Sequence, residues 1–232
     1  MADFDFDRFT KDILDGISTA ADSVSEAASG AATNVSRIKE FNEVGRDLFR
    51  SAQVTSHGGN MSVSDGKQIW ITRTGTRLGH IGPNDIVGVG WQVSEADASA
   101  SIELKVHRAI YQALAERLAN EGRAFTEAAI IHTHSLHATY HSLQKDSILP
   151  VDAEGSYVLG KSVPVLTPAQ AIASDEVATL MANLVRHGSM LAVVRGHGPF
   201  ALADNLQNAH RLVSCLEYSA SLLTLVEQAR RV

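Results

Sequence analysis

The feature that most constrains the fold is a run of apolar residues that ends in two histidines. Residues 128–134 read AAIIHTH, and a short apolar run that is followed by polar residues is typical of a strand buried in a sheet. Segments with strand and helix patterns alternate along the rest of the chain, and there is no internal repeat. The sequence therefore predicts an α/β or α+β class, with a central sheet that is flanked by helices.

Three segments have the patterns of helices that pack against such a sheet. Apolar side chains between residues 102 and 118 recur at steps of four and form one stripe. Residues 174–188 place Ser174 as an N-cap, acidic residues in the first turn and Gly188 as a C-cap. A long final helix is expected to begin at Asp204. Strands are expected around residues 61–71 and in the apolar segments near residues 164 and 193.

Length and charge narrow the class of protein. The 232 residues suffice for one domain, or for one domain with an appendage. A net charge of −6 argues against non-specific binding to nucleic acid or to anionic lipid. No apolar run approaches the roughly 20 residues that a membrane span needs, and the acidic N-terminus is unlike a secretory signal. Because Cys215 is the single cysteine, an internal disulfide is excluded, and a cytoplasmic location is expected. Cys215 itself is expected to be a packing residue.

Residues 1–35 differ in composition from the rest of the chain. Phe6, Phe9, Ile13 and Ile17 have helical spacing, and a stretch rich in alanine and serine follows them. We interpret this segment as an N-terminal extension, an amphipathic helix followed by a linker. The helix could pack on the core or at a subunit contact. Alternatively it could be a tethered docking helix that binds a protein partner or a protein shell.

Several histidines are candidates for metal ligands. His132 and His134 leave the same face of the predicted strand, at the point where it emerges from the core. His137 and His141 are four residues apart and also have a spacing that suits zinc, but their segment has an ordinary helical pattern, so we expect a packed or solvated pair. His197 follows another apolar strand and lies between two glycines, which makes it the candidate for a third ligand.

Short motifs in a fixed order resemble those of the class II aldolase/adducin family. They are GGNMSV, ITRTG, SIELKVH, HTHSLHAT and RGHGPFAL. The resemblance extends over about residues 40–227, so residues 36–232 are expected to form the catalytic domain. It implies a three-layer fold with a mainly antiparallel central sheet. It also implies a fourfold homotetramer with active sites between subunits.

The resemblance also implies the roles of the central site residues. His132, His134 and His197 would hold a divalent metal, most simply Zn²⁺, with Mn²⁺ or Co²⁺ as other candidates. Three protein ligands leave a coordination position open, as a catalytic metal requires. Glu103 matches the family's catalytic acid/base. The substrate would be a small sugar phosphate or a related anion.

The expected anion site departs from the family pattern at two positions. The residues that match the family's phosphate-binding positions are Asn60, Thr74, Gly75 and Ser101. Ile102 occupies the position of a second hydroxyl, which removes one hydrogen-bond donor. Arg73 occurs where many members carry proline, and its guanidinium could bind either a phosphate or a carboxylate.

The resemblance implies an aldolase that cleaves a phosphorylated ketose, such as L-fuculose 1-phosphate, into dihydroxyacetone phosphate and an aldehyde through a metal-stabilised enediolate. Glutamate rather than aspartate at position 103 favours this reaction over a metal-dependent 4-epimerase; a decarboxylase is a further alternative. A non-enzymatic, adducin-like binding domain would be expected to lack the ligands. A second proton-transfer residue is predicted at Tyr157, with Asp152 and Glu154 as other candidates in that stretch.

Overall fold

The computed structural model describes residues 36–230, and within them a sheet of eight strands forms the centre. The strands are β1 (Asn60–Ser64), β2 (Ile69–Thr72), β3 (Ile86–Val89), β4 (Ala128–His132), β5 (Ser147–Ile148), β6 (Val163–Leu166), β7 (Leu191–Val194) and β8 (Gly198–Ala203). The helices are α1 (residues 36–50), α2 (Leu104–Asn120), α3 (Leu136–Ser142), α4 (Ala153–Leu159), α5 (Asp175–Arg186) and α6 (Leu206–Ala229).

The strand order is β3-β2-β1-β4-β8-β7-β6-β5. All neighbouring strands are antiparallel except β6 and β7, which are parallel. The predicted class, a mainly antiparallel sheet flanked by helices, is confirmed. The elements β3, β5 and α4 had no clear sequence pattern, because each is only two to seven residues long.

The sheet is buried on both faces, and β4 shows this most clearly. Its side chains alternate between two apolar clusters. Ala129 and Ile131 pack in one cluster with residues of α1 and α6, whereas Ala128 and Ile130 pack in the other with residues of α2 and α5. His132 has the same parity as Ile130. It therefore faces the side of the sheet that α2 covers, which determines where the functional groups meet.

The helix termini follow local capping chemistry. The Ser174 side chain accepts a hydrogen bond from the Val177 N–H, which confirms the predicted cap of α5. The prediction that the last helix begins at Asp204 is wrong by two residues. Asn205 supplies the cap, because its side chain accepts the N–H of Asn208 at 2.8 Å, and the helix begins with the next residue after the cap.

The remaining general predictions have mixed outcomes. Cys215 is buried and its thiol pKa is raised by burial, as expected of a packing residue. Among residues 36–230, no helix has both the length and the apolarity to cross a membrane. Contacts within the chain group the described residues from Phe41 onward into one unit, and every residue of the site described below belongs to it. The prediction of a helix and linker in residues 1–35 lies outside the described residues.

Replacement of Ile130 by alanine tests the double-sided core. Ile130 is fully buried in the central strand, so Ile130→Ala should lower the free energy of unfolding by about 2–5 kcal/mol through lost burial and a residual cavity. Val93→Ala is the control, because Val93 is 82% exposed and should change stability by less than about 0.5 kcal/mol. Chemical denaturation measures both. Equal effects in the two variants would contradict the packing described here.

Candidate active site

Two strand ends bring the three histidines together. β4 ends at His132, His134 lies two residues beyond it, and His197 lies in the turn between β7 and β8. His132 pairs with Phe200 across the antiparallel β4–β8 ladder, so the end of one strand lies beside the start of the other. The ligand atoms of the three histidines all lie within 4.8 Å of one another, and no other such group of potential metal ligands occurs in residues 36–230.

The ring of His132 is fixed in one orientation. Its Nδ1–H donates to the Pro199 carbonyl at 3.0 Å, and the ring stacks on Phe200 with 4.0 Å between centroids. This hydrogen bond leaves Nε2 with its lone pair directed at the cluster, 3.2 Å from Nε2 of His197. Metal-binding histidines are generally oriented in this way, by a hydrogen bond from the ring nitrogen that does not bind the metal.

Burial keeps these imidazoles neutral, which is the form that binds a metal. It lowers the pKa of His132 well below the usual histidine value, and the neighbouring His197 and His134 lower it further. Burial likewise lowers the pKa of His134. The pKa of His197 falls to about 4, through burial first and the charge of His134 second.

The donor set fits a divalent metal ion. Two nitrogens that bind one tetrahedral Zn²⁺ at 2.0–2.1 Å are about 3.3 Å apart, close to the His132–His197 separation. Three neutral imidazoles also leave a position open for substrate. His137 and His141 are elsewhere: both hydrogen-bond Thr224 of α6, and His141 also bonds the Ala220 carbonyl. Of the two expected outcomes, a packed or a solvated pair, the structure shows the packed one.

Glu103 lies beside the histidine cluster at the start of α2. It is 3% exposed, and its Oε1 is 4.0 Å from Nε2 of His197. The same oxygen accepts the N–H of Ala173 at 3.0 Å, whereas Oε2 is buried and makes no hydrogen bond within residues 36–230. Burial raises the pKa of this carboxyl, and the Ala173 N–H partly opposes the rise. A buried carboxyl with a raised pKa beside a metal site is suited to acid/base work.

A turn after β2 forms the other end of the cleft. The Thr76 N–H donates to the Arg73 carbonyl at 3.2 Å, and Gly75 has φ +77°, as a type II turn requires at its third residue. The N–H groups of Thr74 and Gly75 make no hydrogen bond within the described part of the chain. Both residues line the same cleft of about 170 Å³ as Glu103 and the histidines, so these N–H groups are available to an anion.

The hydroxyls near this turn have different roles. Thr74 Oγ1 donates to the Ala100 carbonyl at 2.9 Å and accepts the Ile102 N–H at 3.1 Å, so its proton is committed to the protein. Ser101 Oγ accepts the N–H of Glu103 and keeps its own proton for a ligand. Thr74 therefore shapes the turn, and Ser101 is the hydroxyl donor that remains.

Arg73 adds positive charge at the rim of the cleft. Its Nε donates to the Asn84 carbonyl at 2.6 Å, and neither terminal nitrogen has a hydrogen-bond partner in residues 36–230. Ile102 and Ile172 also line the cleft and are 59% and 53% exposed. The cleft thus combines hydrogen-bond donors that suit an anion with an apolar rim.

Tyr157 is not part of this cleft within one protomer. It lies on α4, is 84% exposed and lines a different surface pocket. The structure brings together nine of the ten residues predicted for the site: Asn60, Arg73, Thr74, Gly75, Ser101, Glu103, His132, His134 and His197. The role of Tyr157 as a second proton-transfer residue stays a prediction.

Sequence patterns missed several residues that support the site. Ala173 donates to Glu103 from a left-handed conformation, φ +50°, which no sequence signal indicated for an alanine. Gly58 packs so tightly that a Cβ there would lie 2.7 Å from the His134 ring. His107 bonds Asn60 from behind. It is the final histidine of the SIELKVH motif, and this was the available signal.

Comparison with known proteins places this arrangement in a family. Residues 39–224 match the family described as class II aldolase and adducin N-terminal domain. The chain belongs to this family. Members of this family are named for more than one reaction, so family membership by itself does not determine the substrate.

Individual relatives in the family have two different activities. An L-fuculose phosphate aldolase of Methanocaldococcus jannaschii is 29% identical over 189 residues, which cover 81% of this chain and 95% of that protein. A methylthioribulose-1-phosphate dehydratase of Bradyrhizobium is 28% identical over 218 residues, covering 84% and 94%. The crystal structure of L-fuculose-1-phosphate aldolase from Thermus thermophilus superposes with a TM-score of 0.73 at 29% identity, covering 84% and 96%.

Gly198→Ala tests how closely the two strand ends must approach. A Cβ at Gly198 would lie 2.0 Å from the Thr133 carbonyl oxygen, and φ there is +148°. The strands would have to separate and His197 would leave the other two ligands. We expect zinc affinity to fall by about 10–100-fold, measured by metal analysis after dialysis against a zinc buffer.

The matched control is Gly122→Ala, because Gly122 also has a positive φ but has open space where the Cβ would be. This variant carries backbone strain without a clash at the site and should keep its zinc. Full zinc binding by Gly198→Ala would contradict the geometry proposed for the ligands.

Proposed function

We propose that the protein is a metal-dependent aldolase that cleaves a phosphorylated ketose into dihydroxyacetone phosphate and an aldehyde. One observation carries this proposal: a buried carboxyl, three convergent imidazoles and a set of hydrogen-bond donors for an anion line one cleft. Aldol cleavage needs these three functions together. The related L-fuculose phosphate aldolases support L-fuculose 1-phosphate as the first substrate to test.

The metal would be held by His132, His134 and His197, with Zn²⁺ as the first candidate and Mn²⁺ or Co²⁺ as the others. When bound, a divalent cation supplies Lewis-acid stabilisation of negative charge on substrate oxygens. The protein's contribution is to keep the three imidazoles neutral and to hold the ring of His132 by the Pro199 carbonyl.

Glu103 would move the proton on carbon. Cleavage of the carbon–carbon bond releases the aldehyde and leaves the three-carbon fragment as an enediolate, whose carbon must then gain a proton. The raised pKa of Glu103 increases its protonated fraction, so it can deliver that proton. Its Oε1 is held by the Ala173 N–H, which leaves the unpartnered Oε2 for the substrate.

The turn after β2 would bind the phosphate. The free N–H groups of Thr74 and Gly75, the Ser101 hydroxyl and the Arg73 guanidinium supply donors and charge at that end of the cleft. Arg73 would replace the contact that is lost at Ile102. Binding at this end positions the reacting carbon between Glu103 and the histidine cluster.

We also propose that the active enzyme is a homotetramer in which Tyr157 acts in the site of a neighbouring subunit. The hydroxyl group that becomes the aldehyde must lose a proton. Among the described residues that line the cleft, none besides Glu103, the proposed metal ligands and the exposed His57 has a suitable acid/base group. The exposed hydroxyl of Tyr157 is available to another protomer.

A second candidate function is dehydration of a ketose phosphate. The methylthioribulose-1-phosphate dehydratases match as much of this chain as the aldolases do, at similar identity. The same carboxyl and metal ligands would serve, because dehydration also begins with proton transfer at a carbon next to a carbonyl. The exposed Ile102 and Ile172 at the rim of the cleft suit a substrate with an apolar group.

The decisive experiment is product analysis with the zinc-loaded protein. L-fuculose 1-phosphate and methylthioribulose 1-phosphate are incubated separately, and products are identified by NMR. Release of dihydroxyacetone phosphate from the first substrate supports the aldolase. Loss of water from the second, without carbon–carbon cleavage, supports the dehydratase and contradicts the aldolase.

Glu103→Gln and chelation are expected to abolish turnover in either case. The glutamine variant keeps the shape of the side chain but cannot transfer the proton, so kcat should fall by about 10²–10⁴-fold. Glu95→Gln, at an exposed position that does not line the cleft, is the matched control and should retain full activity. Turnover that survives in Glu103→Gln or in the chelated protein would refute the proposed mechanism.

Tyr157→Phe tests the contribution of a neighbouring subunit. If the hydroxyl transfers a proton across the interface, kcat should fall at least about tenfold while the tetramer, measured by light scattering, stays intact. Tyr218→Phe is a suitable control, because Tyr218 is another exposed tyrosine that does not line the cleft. Unchanged kcat in Tyr157→Phe would remove this residue from the mechanism.

A further inference from the structure

A buried row of hydrogen bonds leads from the core to the anion end of the cleft. The Tyr111 hydroxyl is 2.8 Å from Ser62 Oγ, and Ser62 Oγ is 2.6 Å from Nδ1 of His107. Nε2 of His107 is in turn 2.6 Å from Oδ1 of Asn60. Tyr111, Ser62 and His107 are fully buried, and Asn60 is 6% exposed.

The identity of the final acceptor sets the direction of the row. A neutral imidazole carries one proton, and burial keeps His107 neutral by lowering its pKa to about 3. Since Oδ1 of Asn60 can only accept, Nε2 of His107 carries the proton. Nδ1 must then accept from the Ser62 hydroxyl, and Ser62 Oγ accepts from the Tyr111 hydroxyl. Each bond has one donor and one acceptor.

This row leaves one group of Asn60 for the cleft. Asn60 lines the cleft beside Ser101, Thr74 and the histidine ligands. Its Oδ1 accepts the hydrogen bond from His107. Its Nδ2 makes no hydrogen bond within residues 36–230 and is accessible to solvent. The amide therefore presents its N–H donors to the cleft. A flipped amide would present an oxygen, which would repel an anion.

We propose that His107 is a positioning residue that holds the Asn60 side chain with its N–H donors toward the anion of the substrate. The inference rests on the proposed function for the nature of that anion, a phosphate. His107 itself does not touch the substrate, because it lies behind Asn60 and does not line the cleft. Its effect on binding passes through Asn60 alone.

The surroundings of His107 exclude the other roles that a buried Ser–His contact suggests. Neither Ser62 nor His107 is accessible, so Ser62 cannot be a nucleophile and His107 cannot be its base. The His107 ring lies edge-to-face against Phe200, with 6.0 Å between centroids, and Phe200 stacks on His132. The imidazole is therefore held in place by packing while its two nitrogens orient the polar groups.

The test measures the affinity of the full-length, zinc-loaded protein for inorganic phosphate by calorimetry, together with KM and kcat. His107→Phe keeps a planar ring but removes both hydrogen bonds. We expect about tenfold weaker phosphate binding, because the charged ligand loses an aligned donor. KM should rise by a similar factor and kcat should change little, as expected for a contact that binds substrate and transition state alike.

Two variants separate positioning from general damage. His107→Gln can still donate to Oδ1 of Asn60 and should restore phosphate affinity to within about threefold. Tyr111→Phe removes the hydrogen bond at the far end of the row, so it should lose stability without a matching loss of phosphate affinity. Unfolding free energies are measured for every variant, so that loss of fold is recognised as such.

A double-mutant comparison provides the strictest test. If His107 acts only through Asn60, then Asn60→Ala should weaken phosphate binding, and adding His107→Phe to it should cause no further loss. Unchanged affinity in Asn60→Ala or His107→Phe, or the same additional loss in both backgrounds, would overturn the inference.

Failure of the proposed function has a different signature. Phosphate binding that depends on His107 and Asn60, without cleavage of any ketose phosphate, would refute the aldolase and support the positioning role. Cleavage with an unchanged KM and phosphate affinity in His107→Phe would support the aldolase and refute the positioning role.

Discussion

The close approach of the β4 and β8 ends is the constraint on which the rest of the site depends. The antiparallel register pairs His132 with Phe200 and Asn60 with His132, so the proposed metal ligand on β4 lies between Asn60 of β1 and Phe200 of β8. Gly198 permits the contact with the Thr133 carbonyl that no side chain would tolerate. Because α2 covers this face, Glu103 and His107, one turn apart, reach the cluster and Asn60 respectively.

Sequence patterns predicted those parts of the site that depend on local spacing. His132 and His134 are two residues apart at a strand end, and a period of two places both on one face. The helical period predicted α2, which begins at Leu104, whereas Glu103 just before it was singled out by the resemblance of SIELKVH to the family's motif. The main fold class followed from the same patterns, since the long helices and buried strands carry enough residues for a clear period. Gly75 was identified by the resemblance of ITRTG to a motif of the family.

Features that depend on tertiary contacts could not be predicted in this way. Whether the Thr74 hydroxyl faces an anion or the Ala100 carbonyl depends on a contact 26 residues away. The Ala173 donor requires a left-handed alanine, which sequence rules disfavour. The His107–Asn60 bond joins positions 47 residues apart. Tyr157 is the reverse case, because the structure of one protomer cannot show a residue that acts in the site of a neighbouring subunit.

The central claim is that three histidines from two strand ends hold one catalytic divalent metal. Titration of the metal-free protein with Co²⁺, followed by visible absorption, tests it most directly, because Co²⁺ reports both stoichiometry and coordination geometry. We expect one Co²⁺ per chain with the intense bands of a four- or five-coordinate site, and the loss of this binding in His197→Ala. Binding that is unaffected in His197→Ala, or the absence of stoichiometric binding in the unmodified protein, would contradict it.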